Sequence, residues 1–256
     1  LYLSNILIWS ALIALSIYIS MPSKEFINIL FIFLIAFIFK SIQLRQKIKI
    51  TIILVLFVLF GLWYRIYFIM IPVLAVTSFL VFRLKIRKKI ITSIFVSLIA
   101  AIFMSLSYAV VSGEYMSEST REELNEKRKG RQDSQTLILS PVKTNSPIGE
   151  AVGIIYGYVT VNLPFESLIK FYYKPQVILF SIWQILLFYV LIIKFNKARE
   201  ASISAYDERL WLFHVVFSYF VIQGIFEPDL GSSIRHKFGV LPIIYQAIFY
   251  TRLYDK

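Results

Sequence analysis

Residues 83–89 read RLKIRKK, and residues 90–111, which follow directly, read IITSIFVSLIAAIFMSLSYAVV. The second stretch carries no charged side chain and has the length that a helix needs to cross a bilayer core, about 20 residues. Because backbone groups in lipid must be satisfied within the segment itself, we interpret it as a helix. Basic residues collect on the cytoplasmic side of membrane proteins. This stretch therefore predicts a membrane helix and the side on which it begins.

The same pattern recurs along the whole chain, which is 58% hydrophobic. The apolar runs are continuous and do not alternate, which favours helices over the strands of a barrel. The predicted fold is an all-α polytopic membrane helix bundle, a single domain over residues 1–256, with a tight hairpin at Tyr64 and Arg65. Eight transmembrane helices are predicted, at residues 1–19, 26–42, 48–63, 66–82, 90–111, 177–195, 210–226 and 238–253.

The chain opens on Leu1, inside an apolar run, with no basic segment before that run and no small-residue cleavage site after it. We therefore expect it to be the C-terminal part of a longer membrane protein, with earlier spans missing.

Three short loops carry clusters of basic residues, and by parity all three lie on the same side of the membrane. We predict that this side is cytoplasmic, that both visible ends of the chain lie there, and that residues 112–176 and 227–237 lie outside. The basic residues are Lys40, Arg45, Lys47 and Lys49, then Arg83, Lys85, Arg87, Lys88 and Lys89, then Lys194, Lys197, Arg199 and Arg209.

The formal net charge of +12 is explained by this positive-inside pattern, so no nucleic acid partner is expected. The chain has no cysteine, which excludes disulfides and thiolate chemistry. No Walker loop, dinucleotide fingerprint, zinc-ligand spacing or serine nucleophile elbow is present in the sequence. We expect neither a cofactor nor a required metal, although Glu227 and Asp229 could together hold a metal ion.

The predicted outer loop, residues 112–176, has two parts. Residues 114–131 have acids first and bases later, which predicts a solvated helix capped by Ser117 or Ser119. Residues 151–173 are apolar and Tyr-rich but interrupted, which favours an interfacial or re-entrant helix on the outer leaflet.

The segment Glu227-Pro228-Asp229-Leu230-Gly231-Ser232-Ser233-Ile234-Arg235-His236-Lys237 concentrates polar chemistry between two apolar runs. Arginine suits bidentate phosphate binding and lysine adds a point charge, so Arg235 and Lys237 are predicted to bind a diphosphate. Ser232 and Ser233 lie in a flexible turn with hydroxyl and backbone donors. Asp229, Glu227 and His236 are the candidate catalytic groups. Anchoring at the interface, with a local salt bridge, explains the segment equally well from its residues alone.

Other polar side chains are better explained as structural. Solvated surface is the favoured interpretation for two sets, Glu150, Asn162, Glu166 and Lys170, and Arg121, Arg128 and Arg131. His214 is expected to be a satisfied histidine inside a span, and Gln184 and Gln223 to join helices by hydrogen bonds.

The C-terminal part, residues 145–256, resembles the O-antigen and exopolysaccharide repeat-unit polymerases of the Wzy type and related polytopic glycosyltransferases. The resemblance lies in the segment 227–237, the early proline Pro242 in the span that follows, and Asn162-Leu163-Pro164-Phe165 upstream. It implies transfer of a polyprenyl-diphosphate-linked oligosaccharide onto a second lipid-linked acceptor, with Arg235 holding the diphosphate. It also implies a bacterial inner (cytoplasmic) membrane location, and membrane lipids and polysaccharide assembly proteins as partners.

Two alternatives remain open. A transporter or flippase of lipid-linked sugars would carry polar side chains in the middle of its spans, and this chain has few. In a non-catalytic membrane protein, the segment 227–237 would be an anchor and nothing more.

Overall fold

The computed structural model describes residues 2–19, 24–41, 44–84, 89–128, 136–202 and 207–254, and over these residues the chain is 85% helix with no strand. The all-α prediction is confirmed. Short 3-10 and π turns cover Ile66–Ile69 and Glu118–Glu122. The α-helices are α1 (Tyr2–Ile19), α2 (Lys24–Ser41), α3 (Gln46–Trp63), α4 (Met70–Arg83), α5 (Lys89–Ser112), α6 (Glu123–Arg128), α7 (Pro147–Asn162), α8 (Phe165–Lys170), α9 (Pro175–Ala201), α10 (Glu208–Phe226), α11 (Leu230–Gly239) and α12 (Leu241–Tyr254).

Within the described chain, five helical segments are long and apolar enough to cross a membrane, so the count of eight is not confirmed. They are Gln46–Trp63, Ile66–Arg83, Ile90–Ser112, Pro175–Ala201 and Glu208–Phe226. The apolar parts of α1 and α12, Leu3–Ile17 and Leu241–Tyr250, are shorter. The predicted eighth span, 238–253, is divided because Phe238 and Gly239 end α11 and a separate helix begins at Leu241.

Helix α10 lies at the centre of the bundle. It packs against α4, α5, α7, α9 and α12, and its side chains are buried on every face from Leu210 to Ile225. A helix that is apolar all round is typical of such a central position. The ends of α10 therefore fix the positions of the polar groups around them.

Large apolar side chains remain exposed on the outer surface of the bundle. Trp63, Val110 and Val111 are 83%, 87% and 89% exposed. Apolar exposure on this scale marks contact with lipid or a partner. It agrees with helices that cross a membrane.

Two buried ion pairs lie at opposite ends of α3. Lys49, near its start, pairs with Glu208 at 2.6 Å, whereas Arg65, just past its end, pairs with Glu25 at 2.7 Å. The Lys49–Glu208 pair joins two helix ends that the loop charges assign to the cytoplasmic side, and the Arg65–Glu25 pair joins two chain segments assigned to the outer side. Lys85, Arg87, Lys88 and Arg131 lie outside the described residues.

The predicted outer loop is largely helical and packs on the bundle. Gly149, Gly153 and Gly157 recur every fourth residue of α7, which packs against α5 and α10. A Cβ atom on Gly157 would lie 2.0 Å from the carbonyl oxygen of Gly224 in α10. Small residues at this spacing allow helix backbones to approach closely. Of the three, Gly157 is the one that meets α10, and a larger residue there would keep α7 from docking on it.

The described part of the segment 114–131 is helical over residues 118–128, as its charges predicted, but it is not a solvated helix, because Arg121 and Asn125 are buried. It forms the π turn and the short α6, and Ser117 makes no capping bond there. Instead Ser117 donates a hydrogen bond to Glu150 through its hydroxyl. This side of the bundle is therefore held by buried polar contacts.

Candidate functional site

The segment 227–237 forms the exit from α10 and the whole first part of α11. Asp229 caps α11, because its Oδ1 accepts the backbone N–H of Ser232 at 2.8 Å. Gly231, Ser232 and Ser233 are helical and lie in the first turn of α11. The prediction that they form a flexible loop turn is therefore wrong. Because each helical residue is rotated by about 100° from the last, α11 directs its side chains to two different faces.

One face of α11 borders a cavity of about 250 Å³, which we call the α11 cavity. It lies between the start of α11, the end of α10 and the π turn with α6. Its lining residues are Tyr67, Thr120, Leu124, Arg128, Tyr219, Ile222, Gln223, Phe226, Glu227, Pro228, Ser232, Arg235 and His236.

Two guanidinium groups reach this cavity from different parts of the chain. Arg235 is exposed, and no hydrogen bond or ion pair engages it within the described chain. Arg128 pairs with Asp229 and lies 3.5 Å from the hydroxyl of Ser232. The favoured interpretation of Arg128 as solvated surface is therefore wrong. Arg128 anchors the start of α11 and lines the cavity, with its charge balanced by Asp229.

His236 lies between two carboxylates. Its Nδ1 is 2.6 Å from Glu227 Oε1, and its Nε2 is 3.2 Å from Glu25 Oε1. Burial by itself lowers the pKa of His236, but the carboxylates of Glu227 and Glu25 outweigh it and raise the pKa from 6.5 to about 9. His236 is therefore an imidazolium at neutral pH, which is a cation and a proton donor but not a base.

Glu25 is held as a carboxylate by the groups around it. Burial raises its pKa, but His236 and Arg65 outweigh that effect and lower it from 4.5 to about 2. Asn28 also donates to its Oε2 at 3.0 Å. Glu25 contacts His236 on the side away from Glu227, and Arg65 holds Glu25 in place. The segment 227–237 gave no sign of either residue, because both are distant in sequence.

Glu227 is the carboxylate in the lining of the α11 cavity, and one of its oxygens accepts no hydrogen bond from the described residues. Its Oε1 accepts from His236 and, at 3.3 Å, from Gln223. Its buried Oε2 has no hydrogen-bond partner among the described residues. A ligand hydroxyl in the α11 cavity would find an acceptor there.

The other face of α11 carries Ser233 and Lys237. Lys237 is fully buried, with its ammonium 3.4 Å from the carbonyl oxygen of Val161 and 5.3 Å from the ring centre of Phe220. Burial lowers its pKa to about 7, although Glu227 acts in the opposite sense. Ser233 donates to the carbonyl of Leu230. The structure therefore does not bring these two predicted binding residues to the cavity that Arg235 lines.

Two further charged residues are buried, against the favoured interpretation of solvated surface. Arg121 is 0% exposed and donates to the carbonyl oxygens of Gly153 and Gly224. Glu150 is also 0% exposed and accepts from Ser105 and Ser117. Both tie the π turn and α7 to the bundle, and so they shape one wall of the α11 cavity.

His214 is a core residue. Its Nδ1 lies 2.7 Å from the hydroxyl of Ser78, and the rings of Phe79, Phe82 and Phe195 surround it. Its buried Nε2 has no hydrogen-bond partner among the described residues, so the expected satisfaction holds for one ring nitrogen and not for the other.

No group of three or more His, Asp or Glu side chains within the described ranges is placed to hold a metal ion. Comparison of the chain with protein-family models, with curated proteins and with solved structures gives no match in any of the three.

The carboxylate–imidazolium network predicts a specific pH dependence of stability. His236 has a raised pKa, so its contribution is full below pH 6.5 and is lost as the pH rises through about 9. Glu25 has a lowered pKa, so its contribution is full above pH 4.5 and is lost as the pH falls through about 2. Lys237 acts in the opposite sense above about pH 7, because its lowered pKa means that unfolding takes up a proton there. We therefore expect the contribution of His236 to appear as a difference between the wild type and His236→Gln in the midpoint of thermal unfolding in detergent.

The stability difference between the wild type and His236→Gln should shrink as the pH rises from about 6.5 to about 9. His214→Gln is the matched control, because it removes the other histidine of the chain and leaves the network intact. Parallel loss of stability in the wild type and in His236→Gln over this pH range would contradict the assignment.

Proposed function

We propose that this protein is a membrane glycosyltransferase of surface polysaccharide assembly. It joins oligosaccharide units carried on polyprenyl diphosphate, at the outer face of a bacterial inner membrane. The observation that supports this most strongly is the α11 cavity, where the free guanidinium of Arg235 stands with Arg128 and the imidazolium of His236.

The charge of the cavity suits a diphosphate. Arg128, Arg235 and His236 all line it. Arg128 is paired with Asp229, and His236 with Glu227 and Glu25, so Arg235 supplies the positive charge that no carboxylate of the described chain offsets. Guanidinium groups bind phosphate oxygens in pairs, and a charge-assisted hydrogen bond is about twice as strong as a neutral one. Arg235 would bind the diphosphate directly because no carboxylate among the described residues is paired with it. Lys237 has no part in this step, since it is buried on the other face of α11.

The proposed reaction is a displacement at the anomeric carbon of the donor sugar. The acceptor hydroxyl oxygen forms a bond to that carbon while its proton passes to Glu227 Oε2. The bond between the anomeric carbon and the diphosphate oxygen breaks, and the diphosphate leaves with the electron pair. Arg235 and Arg128 stabilise the negative charge that develops on it.

Of the three predicted catalytic groups, Glu227 fits the role of base best. Asp229 is committed to Arg128 and to the cap of α11. His236 already carries a proton at neutral pH, so it orients Glu227 and adds positive charge. Glu227 alone of the three has a buried oxygen without a partner in the described chain.

The location of the cavity supports an enzyme over a flippase. It lies at the end of the bundle that the loop charges predict to be outside, beside Arg65 and Glu25. His214, the ionisable group deep inside α10, is enclosed by aromatic rings. A transporter would place such groups along a route through the membrane.

The test is to replace Arg235 and to measure the length of the polysaccharide on the cell surface. Arg235→Ala should reduce polymer at least about tenfold, because it removes a charge-assisted hydrogen bond to the leaving group worth about 1.5–3 kcal/mol. Arg235→Lys should retain part of the activity, since the charge remains and the paired donors are lost.

Arg83→Ala is the matched control, because Arg83 is exposed at the opposite end of the bundle. Normal polymer from a well-expressed Arg235→Ala variant would refute the proposal. Repeat units that accumulate outside the membrane support a polymerase, whereas units retained inside indicate a flippase.

A further inference from the structure

A second cavity, of about 320 Å³, lies on the other face of α11, and we call it the α9 cavity. α11 separates it from the α11 cavity, since Ser232 lines one and Ser233 the other. Gln176 and Gly231 are exposed at its mouth, and Ser181 and Gln184 are buried at its floor. Its volume is at the small end of the usual range for ligand sites, about 300–1,000 Å³.

The polar residues of α9 are concentrated on this cavity. Between residues 177 and 193 the helix is apolar or aromatic except for Ser181 and Gln184. Both line the cavity, one helical turn apart, together with Val177 and Phe180. Polar side chains are costly in an apolar span, and those that occur there mark packing contacts or functional sites.

The amide nitrogen of Gln184 has a hydrogen-bond partner, whereas its amide oxygen has none among the described residues. Its Nε2 lies 3.5 Å from the carbonyl oxygen of Asn162. Its Oε1 is buried and has no hydrogen-bond partner among the described residues, in a side chain that is 1% exposed. A buried acceptor left unpaired costs about 1–3 kcal/mol, so a donor from a ligand or water is expected at this position.

Most of the polar groups in the lining of the α9 cavity are uncharged. Thr136, Gln176, Ser181, Gln184 and Ser233 supply hydroxyl and amide groups, and no carboxylate lines the cavity. Its one cation, Lys174, lies over the rings of Phe171 and Tyr173. Amides and hydroxyls beside apolar faces such as Phe180 suit a ligand with many hydroxyls and no charge.

We propose that the α9 cavity binds a neutral pyranose ring of the glycan substrate, with Gln184 Oε1 accepting a sugar hydroxyl at its floor. This role rests on the proposed function. Because α11 lies between the two cavities, the ring held here is not the one attached to the diphosphate in the α11 cavity. It belongs to a distal sugar of the same chain or to the acceptor glycan. The two cavities then hold different parts of the substrates on either side of one helix.

The test uses the full chain, purified in a detergent without a sugar headgroup such as an amine oxide. Saturation-transfer NMR would measure binding of methyl glycosides of glucose, galactose and N-acetylglucosamine, with glycerol as a control for a polyol without a ring. At least one glycoside should bind and glycerol should not. Gln184→Leu should weaken that binding about tenfold, the effect of one hydrogen bond of about 1.4 kcal/mol.

Gln246→Leu is the matched control. Gln246 is also a buried glutamine on an apolar helix, and it donates to the carbonyl of Ala36 at 2.6 Å. The control should lose comparable stability and keep its glycoside binding. If no glycoside binds the wild type, or if both variants bind as the wild type does, the cavity holds water alone and the inference is overturned.

Methylenediphosphonate, titrated into the same samples, separates this inference from the proposed function. Gln184→Leu should leave diphosphonate binding unchanged, and Arg235→Ala should leave glycoside binding unchanged. Glycoside binding that depends on Gln184, with diphosphonate binding indifferent to Arg235, would support the sugar site and refute the diphosphate site.

Discussion

Replacement of Gly157 by leucine is expected to prevent α7 from docking and to abolish the folded protein. The first added atom, Cβ, would already lie 2.0 Å from the carbonyl oxygen of Gly224 and 2.2 Å from Nη1 of Arg121. An added group in a tight contact usually costs about 1–3 kcal/mol of stability. The cost here is expected to be larger, because the atom it meets belongs to the backbone of a central helix and cannot move aside as a side chain can. We expect loss of the monodisperse peak in size-exclusion chromatography and no cooperative thermal transition.

Val159→Leu is the control for this prediction. It adds volume to the same helix on a side chain that is 43% exposed. Gly157→Ala should fall between the two. A Gly157→Leu variant that folds with the stability of Val159→Leu would show that α7 does not rest on α10 as described.

Replacement of Glu227 by glutamine is expected to abolish transfer while leaving the cavity able to bind a diphosphate. Glutamine has the same shape and can still bond to His236, but it cannot accept a proton. Loss of a general base typically slows the chemical step about 10²–10⁴-fold. Removal of the one carboxylate in the lining should leave methylenediphosphonate binding equal or tighter. The readouts are polymer on the cell surface and calorimetric titration of the purified protein.

Glu166→Gln is the matched control, because Glu166 is exposed and bonds to Tyr156, away from the α11 cavity. It should make normal polymer. Normal polymer from Glu227→Gln would instead remove Glu227 from the mechanism, and loss of diphosphonate binding in that variant would indicate a structural role.

The helical class could be predicted from the sequence because continuous apolar runs leave the backbone one solution in lipid. The segment Glu208–Phe226 was recognisable for that reason. Hydropathy does not report where such runs break. The boundary between α11 and α12 at Val240 therefore fell inside a predicted span.

The local part of the candidate site was also predictable, since Glu227, Ser232, Arg235 and His236 are close in sequence. Arg128 and Glu25 were not, because they are distant in sequence and no local pattern marks their contact with α11. The faces of α11 could not be assigned either. The sequence Gly231-Ser232-Ser233 suggested a turn, and a turn does not assign Arg235 and Lys237 to opposite helix faces.

A sequence signal for the position of α7 existed and was missed. Gly157 and Gly224 are small residues in apolar runs, and such residues let helices pack closely. The burial of Arg121 and Glu150 follows from that docking, because both lie at the contact between α7 and its neighbours. The charges of Arg121 and Glu150 predicted a solvated surface, but the packing of α7 on its neighbours buries both side chains.

The central claim is that the α11 cavity binds a diphosphate through Arg235. The most direct measurement is a calorimetric titration of purified wild type, Arg235→Ala and Arg83→Ala with methylenediphosphonate at one fixed salt concentration. We predict that wild type and Arg83→Ala bind equally, and that Arg235→Ala binds at least about tenfold more weakly. Equal binding by Arg235→Ala, or no binding by the wild type, would contradict the claim.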